Sequence, residues 1–176
     1  MKKFLLVSSL VLSVFAFGQT GKMMKAGRQF GLNYPASYVK TFNLNEDALL
    51  QMSNVASEKY SLVIQDEKAG LEYFKLAFEN VGEATTFFTK GIIENLKNVK
   101  KSEVKMRKIG NYNAAELLIE ATDLNEETNE ELNLFYVFTL IESPEFYYQV
   151  MSWTLAENKS KFEQEFRTIA NSFQEF

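Results

Sequence analysis

The side chains that enzymes recruit most often are missing from this chain. It contains no histidine and no cysteine, which removes every Ser-His-acid and Cys-His arrangement and leaves zinc, copper and haem almost without ligands. Neither G-x-G-x-x-G nor G-x-x-x-x-G-K-[ST] occurs, so no phosphate-cradling loop is expected. Ser102-Glu103-Val104-Lys105 matches S-x-x-K, in which a lysine activates a serine nucleophile, but the companion motifs of such acyltransferases are absent and the match reads as chance. Asp123 to Asn129 begins like a calcium loop, yet Thr128 stands where glycine is required and Leu134 where a bidentate Glu belongs, so the stretch reads as a solvated hairpin tip with at most a weak calcium contact. Among the acids, Glu116, Glu120 and Glu142 lie nearest to apolar runs; strand alternation puts them on a solvent face or at a strand end. No catalytic residue, metal site or cofactor is expected, and the protein reads as a non-enzyme. The aromatics Tyr112, Tyr136, Tyr147, Tyr148 and Trp153 remain, with Tyr136, Tyr148 and Trp153 the candidates for ligand binding. The simpler reading of the same residues is a Phe-rich core with tyrosines at its rim.

Charge narrows the partners. The 176 residues carry 19 Lys and Arg against 23 Asp and Glu, a net charge of −4, which argues against nucleic acid and anionic lipid because both are bound by neutralising phosphates. The one basic cluster, Lys97, Lys100, Lys101, Lys105, Arg107 and Lys108 with Glu103 inside it, reads as the solvated end of a helix and an exposed strand face. Met1-Lys2-Lys3, an apolar run from Phe4 to Phe15 and Ala16-Phe17-Gly18 predict a cleavable secretory signal over residues 1–18. That run falls short of the about 20 apolar residues a bilayer span needs, and no cysteine is present to carry a lipid anchor. The mature chain is therefore expected to be exported, periplasmic or secreted, without membrane insertion. Residues 19–27 read as a flexible leader and 28–176 as one domain, held together without disulfides.

The elements follow from periodicity. Strands are expected at 30–34, ending before Pro35, at 48–54 and at 60–64. From Leu71 the apolar spacing turns helical through Phe74, Phe78, Val81, Ala84, Phe88, Ile92, Leu96 and Val99, with a break allowed at Asn80 to Gly82. A hairpin turns at Gly110-Asn111 and joins a strand near Val104 to Lys108 to one at 112–122; an acidic connection over 123–131 follows. The runs 132–142 and 146–155 flank Ser143-Pro144 and are rich in aromatic and β-branched residues, so this hairpin is expected at the centre of the sheet. Both alternating sets of Leu134 to Ile141 are apolar, which requires cover on both faces. Phe162, Phe166, Ile169, Ala170 and Phe173 form a last helical stripe, capped near Asn158 or Ser160. The order is β-β-β-α-β-β-β-β-α.

Phe30-Gly31-Leu32-Asn33-Tyr34-Pro35 followed by Tyr38, the strand end Val63-Ile64-Gln65-Asp66-Glu67 and the closing Ile169-Ala170-Asn171-Ser172-Phe173 resemble the PsbP-like family, which includes DcrB-type bacterial envelope proteins. The resemblance spans about Arg28 to Phe173. It implies an α/β/α sandwich with a mainly antiparallel central sheet of six to seven strands and helices on both faces, in proteins that mostly bind other proteins and carry no catalytic motif. The expected function is that of a non-enzymatic interaction module with a protein or envelope-surface partner; the alternative is a carrier of a small apolar ligand in a pocket between sheet and helix.

Overall fold

The computed structural model describes residues 21–124 and 130–176; the expected signal at 1–18 lies outside them. In chain order the strands are β1 (Lys22–Ala26), β2 (Phe30–Tyr34), β3 (Val39–Lys40), β4 (Ala48–Asn54), β5 (Lys59–Glu67), β6 (Lys97–Lys101), β7 (Lys105–Ile109), β8 (Tyr112–Leu124), β9 (Glu131–Glu142), β10 (Phe146–Leu155) and β11 (Gln174–Glu175). The helices are α1 (Lys68–Tyr73), α2 (Val81–Glu94) and α3 (Lys159–Asn171). The main sheet runs β3-β4-β5-β10-β9-β8-β6, with β7 also on β8, and its pairs are antiparallel. The β9–β10 hairpin sits at its centre, as its two-sided apolar pattern requires.

Alternation along β9 divides the core. Phe135, Val137 and Ile141 turn to one face, where they pack with Phe162, Phe166 and Ile169 of α3 and with Phe30, Leu32 and Tyr34 of β2. Phe138 and Leu140 turn to the other, against Val81 and Ala84 of α2. The α3 side is covered by more than a helix: β1, β2 and β11 form a second, three-stranded sheet there. The main sheet also has eight strands rather than six or seven, because β3 and β6 are short pieces at its edges with too little apolar alternation to register in the sequence.

Three further expectations are corrected. The leader at 19–27 contains β1, which pairs with β2 from Lys22 opposite Tyr34 to Ala26 opposite Phe30. Gly31 permits this approach, since a Cβ there would lie 3.0 Å from the Met24 carbonyl oxygen. The long helical stripe is broken twice. α1 ends at Tyr73, leaving Phe74 exposed, and α2 starts only after Asn80, whose Oδ1 accepts from Gly82 N at 2.9 Å and Glu83 N at 3.0 Å. α2 then stops at Glu94, and Asn98 takes a left-handed φ of 51° inside β6, where the register shifts between Lys97 and Lys100. Ile93, Leu96 and Val99 still pack together on the sheet, so the apolar spacing was real although the backbone changes under it. The basic cluster accordingly lies wholly on two exposed edge strands, as the strand half of its reading has it, and no part of it is a helix end.

α3 is fixed by a buried charge. Lys59, 4% exposed, places Nζ 2.7 Å from Glu165 Oε1 and over the rings of Phe162 at 4.4 Å and Tyr38 at 4.9 Å. Tyr38 donates its hydroxyl to the same carboxylate oxygen at 3.0 Å. Removing the acid strands a cation in the core, so Glu165→Ala is expected to cost about 3–5 kcal/mol in urea unfolding, and Lys59→Met in that background should recover most of the loss.

Candidate functional site

The three candidate aromatics separate because β10 alternates. Phe146, Tyr148 and Val150 point into the core under α3, whereas Met151, Trp153 and Leu155 point to the opposite face. Tyr148 is fully buried, packed on Phe173 at 4.7 Å and Phe30 at 5.1 Å. Its hydroxyl donates to Glu175 Oε1 at 2.5 Å and accepts from Gln65 Nε2 at 3.3 Å, and Ser143 donates to the same carboxylate at 3.0 Å. Burial and the Glu175 carboxylate push its phenol above the usual tyrosine range. Tyr148 is a clasp for the C-terminal strand and touches no open site that Trp153 touches.

Tyr136 and Trp153 come together with a residue the sequence did not single out. Register places Trp153 opposite Tyr136 on one side and opposite Tyr60 on the other. The rings form a row across β5, β10 and β9: Tyr60 to Trp153 at 5.4 Å with 22° between planes, and Trp153 to Tyr136 at 6.2 Å with 29°. Such a row is the side-chain consequence of direct cross-strand opposition. It was invisible in sequence because β5 and β10 are far apart along the chain.

Tyr60 and Trp153 of this row line an open cleft of about 340 Å³, together with Leu44, Leu124, Leu132 and Leu155 among others and with Glu58 and Asp123 at it; Tyr136 is buried and does not line it. Leu44 belongs to the loop before β4, which is held down because Gln51 Oε1 accepts from Leu44 N at 2.7 Å while Gln51 Nε2 donates to Asn45 O at 2.7 Å. Leu124 and Leu132 belong to the β8–β9 end, opposite one another's neighbours across the ladder. Leu124 is 42% exposed, and Tyr60 and Trp153 are half-buried, so the cleft presents apolar surface to solvent. Burial, helped by the Asp123 carboxylate, raises the Tyr136 phenol above its ordinary range; at neutral pH it is a donor, not a charge. The arrangement can bind an apolar group and orient it by two rim carboxylates. It offers no nucleophile with a base beside it.

The other sequence candidates are occupied structurally. Ser102 Oγ accepts from Leu118 N at 3.1 Å and donates to Glu103 O at 2.9 Å, so S-x-x-K is a kink between two edge strands. Glu116, expected on a solvent face, is instead 5% exposed: Arg167 from α3 reaches it with Nε at 2.9 Å and Nη2 at 2.8 Å, and Arg107 Nη2 lies 3.3 Å away. The charge is buried because two arginines cover it. Glu120 pairs with Lys159 at 2.6 Å. Glu142, at its strand end as expected, accepts from Lys68 at 2.8 Å and Asn113 at 3.1 Å; burial alone would raise its carboxyl, but these partners hold it below its ordinary value. The Tyr147 phenol beside it is pushed up to about 12, first by burial and then by Glu142. Asp66 was not anticipated: burial raises its carboxyl against the bond from Gln149 at 2.7 Å. Most of the acidic connection, 125–129, lies outside the described residues; of its flanks, Glu131 pairs with Lys97 at 3.0 Å. Among the described residues no three metal-ligating side chains cluster, and no helix is long and apolar enough to cross a membrane.

Comparison with known proteins gives the fold. No family profile matches the chain, and no curated protein sequence matches it. Solved structures do. PsbP of the cyanobacterium Synechocystis sp. PCC 6803 superposes with a TM-score of 0.63 at 11% identity, covering 94% of this chain and 99% of that one. The Saccharomyces cerevisiae Ran-binding protein Mog1p gives 0.60 at 10% identity, over 89% and 95%. LpqN, involved in cell envelope biogenesis of Mycobacterium tuberculosis, gives 0.52 at 12% identity, over 90% and 87%. The chain thus has a PsbP-like fold, as its resemblance to that group implied.

Two outcomes test these assignments. Tyr148→Phe removes one donor to a half-buried carboxylate and is expected to cost about 1.5 kcal/mol in chemical unfolding while leaving Trp153 fluorescence unchanged. For Glu142, whose carboxyl is lowered in the fold, the stabilisation is present above its ordinary value of 4.5 and is lost as pH falls through the lower folded value. The stability gap between wild type and Glu142→Gln should therefore be wide at pH 7 and close in strong acid.

Proposed function

We propose that this protein is a non-catalytic, exported binding module whose partner-facing surface is the cleft at Tyr60 and Trp153. The observation that carries the reading is the stacked, half-exposed pair Tyr60 and Trp153 in an open cleft walled by leucines. Half-exposed Trp and Tyr in a leucine-lined depression are the residue types that dominate binding energy at protein interfaces. Export rests on the charged, apolar and small-residue order of residues 1–18. A non-enzymatic role rests on the absence of histidine and cysteine and on the engagement of Glu116, Glu120 and Glu142 with cations. The PsbP-like fold occurs in a Ran-binding protein and in one involved in cell envelope biogenesis, which is consistent with binding in the envelope as the role here.

A carrier of a small apolar ligand is the second reading, favoured by one observation: about 340 Å³ falls within the about 300–1,000 Å³ of small-molecule pockets. The cleft differs from the expected carrier pocket in lying between sheet and loop and in being open, which suits a protruding side chain of a protein better than an enclosed lipid or metabolite.

The single tryptophan makes the test direct. Mature protein immobilised against the envelope fraction of its own host is expected to retain a protein that Trp153→Ala retains about thirtyfold less well, the scale of a hot-spot truncation, with an unchanged melting temperature. Saturable change in Trp153 emission on adding sodium oleate at one equivalent, with no protein retained, would overturn the interaction reading in favour of the carrier.

A further inference from the structure

β6 and β7 lie end to end along one edge of the main sheet, both on β8: β6 pairs as far as Lys101 opposite Ile119, and β7 starts with Lys105 opposite Glu116. Among the described residues no strand pairs with their outer side. A bare edge of this kind presents a row of backbone donors and acceptors that another extended chain can take up.

Its charge is the reverse of the chain's. Between Lys97 and Ile109 stand six cations and one acid, Glu103, on a protein of net charge −4. Three of the six are engaged: Lys97 with Glu131, Arg107 with Glu116 and Lys108 with Asn113. Lys100, Lys101 and Lys105 have no hydrogen-bond or ion-pair partner among the described residues. The carboxylates within reach are already taken, since Glu120 pairs with Lys159 and Glu116 is shared by Arg107 and Arg167. Arg107 is held by Glu116 through Nη2 at 3.3 Å and keeps Nε out of solvent without a hydrogen-bond acceptor. The edge is therefore short of anions.

Lysines on an edge strand can serve only to repel other edges. An edge built solely for that would not leave Met106, 66% exposed, between Lys105 and Arg107. Cation, apolar side chain, cation is a pattern that an extended segment alternating acid and apolar residues complements on both faces, while its backbone satisfies the free edge.

We infer that the β6–β7 edge docks an acidic, extended segment of a protein partner, which adds as a strand and sets carboxylates against Lys100 and Lys105, opposite Glu120 and Glu116 on one face. This site is separate from the aromatic cleft, and the two stand or fall independently.

The test uses the mature chain, a ten-residue alternating Glu-Val peptide, its Lys-Val counterpart and inorganic polyphosphate, read by NMR shifts and amide hydrogen exchange. The Glu-Val peptide is expected to bind, to slow exchange of backbone amides within residues 97–109, and to weaken with added salt; the Lys-Val peptide is expected not to bind. Lys100→Gln and Lys105→Gln together should weaken the Glu-Val complex about tenfold without altering the melting temperature, and Trp153→Ala should leave it unchanged. The inference is overturned if the Glu-Val peptide leaves those amides unprotected, or if polyphosphate binds equally well and the peptide produces shifts without slowed exchange, which would make the edge a charge patch and not a strand acceptor.

Discussion

β9 is apolar on both of its faces, and that constraint shapes the rest of the molecule. A strand with Phe135, Val137 and Ile141 on one side and Leu134, Tyr136, Phe138 and Leu140 on the other cannot leave either side wet. The chain has only two long helices among its described residues with which to cover an eight-stranded sheet. On one side α3 is supplemented by the β1-β2-β11 sheet, and the cover is complete enough to bury Phe30, Tyr34, Phe166 and Tyr148 fully. On the other, α2 packs over β8 and β9 near Ala115 and Phe138, while the loop at Leu44 closes from the β4 side. The aromatic cleft opens beside that loop, between Leu44 and the β8–β9 end at Leu124 and Leu132.

Without disulfides, the covering elements are positioned by charges and hydroxyls brought into the core. Lys59 and Glu165 fix α3 against β5, and Glu116 fixes it against β8 through Arg167. Tyr148, Ser143 and Glu175 tie the chain's last strand to the central hairpin. A buried pair contributes little net energy compared with apolar side chains of the same volume, but a misplaced helix would leave a bare charge, so such pairs penalise wrong arrangements more than they reward the right one. Here they select one seating of α3 on a sheet whose apolar surface would accept several.

How much of this was legible follows from the range of the signal. The strands at 30–34, 48–54 and 146–155, and the closing helix, were readable because each carries its own period and its own stop. Elements whose pattern is supplied by neighbours were not: β1 and β6 are polar-looking segments that become strands only because β2 and β8 offer them a ladder. Leu96 and Val99 continued the helical spacing, yet α2 ends at Glu94 and β6 begins at Lys97, which keeps them on the sheet by another route. Of the three aromatics singled out, Trp153 lines the cleft, Tyr136 is buried beside it and Tyr148 turns to the opposite face, the division between Trp153 and Tyr148 being fixed by the two-residue period of β10 once its inner face is known.

The sequence alone determined the chemistry this protein is denied, since a chain without histidine or cysteine excludes whole classes of site whatever its fold. It also determined the two-sided central hairpin, because apolar alternation is a local property. The tertiary structure decided which charges are buried and which aromatics meet. Glu116 became a core residue because α3 brings Arg167 over it, and Tyr60 joined Trp153 because two strands far apart in the chain became neighbours. Both depend on pairing between distant segments, which no local period encodes.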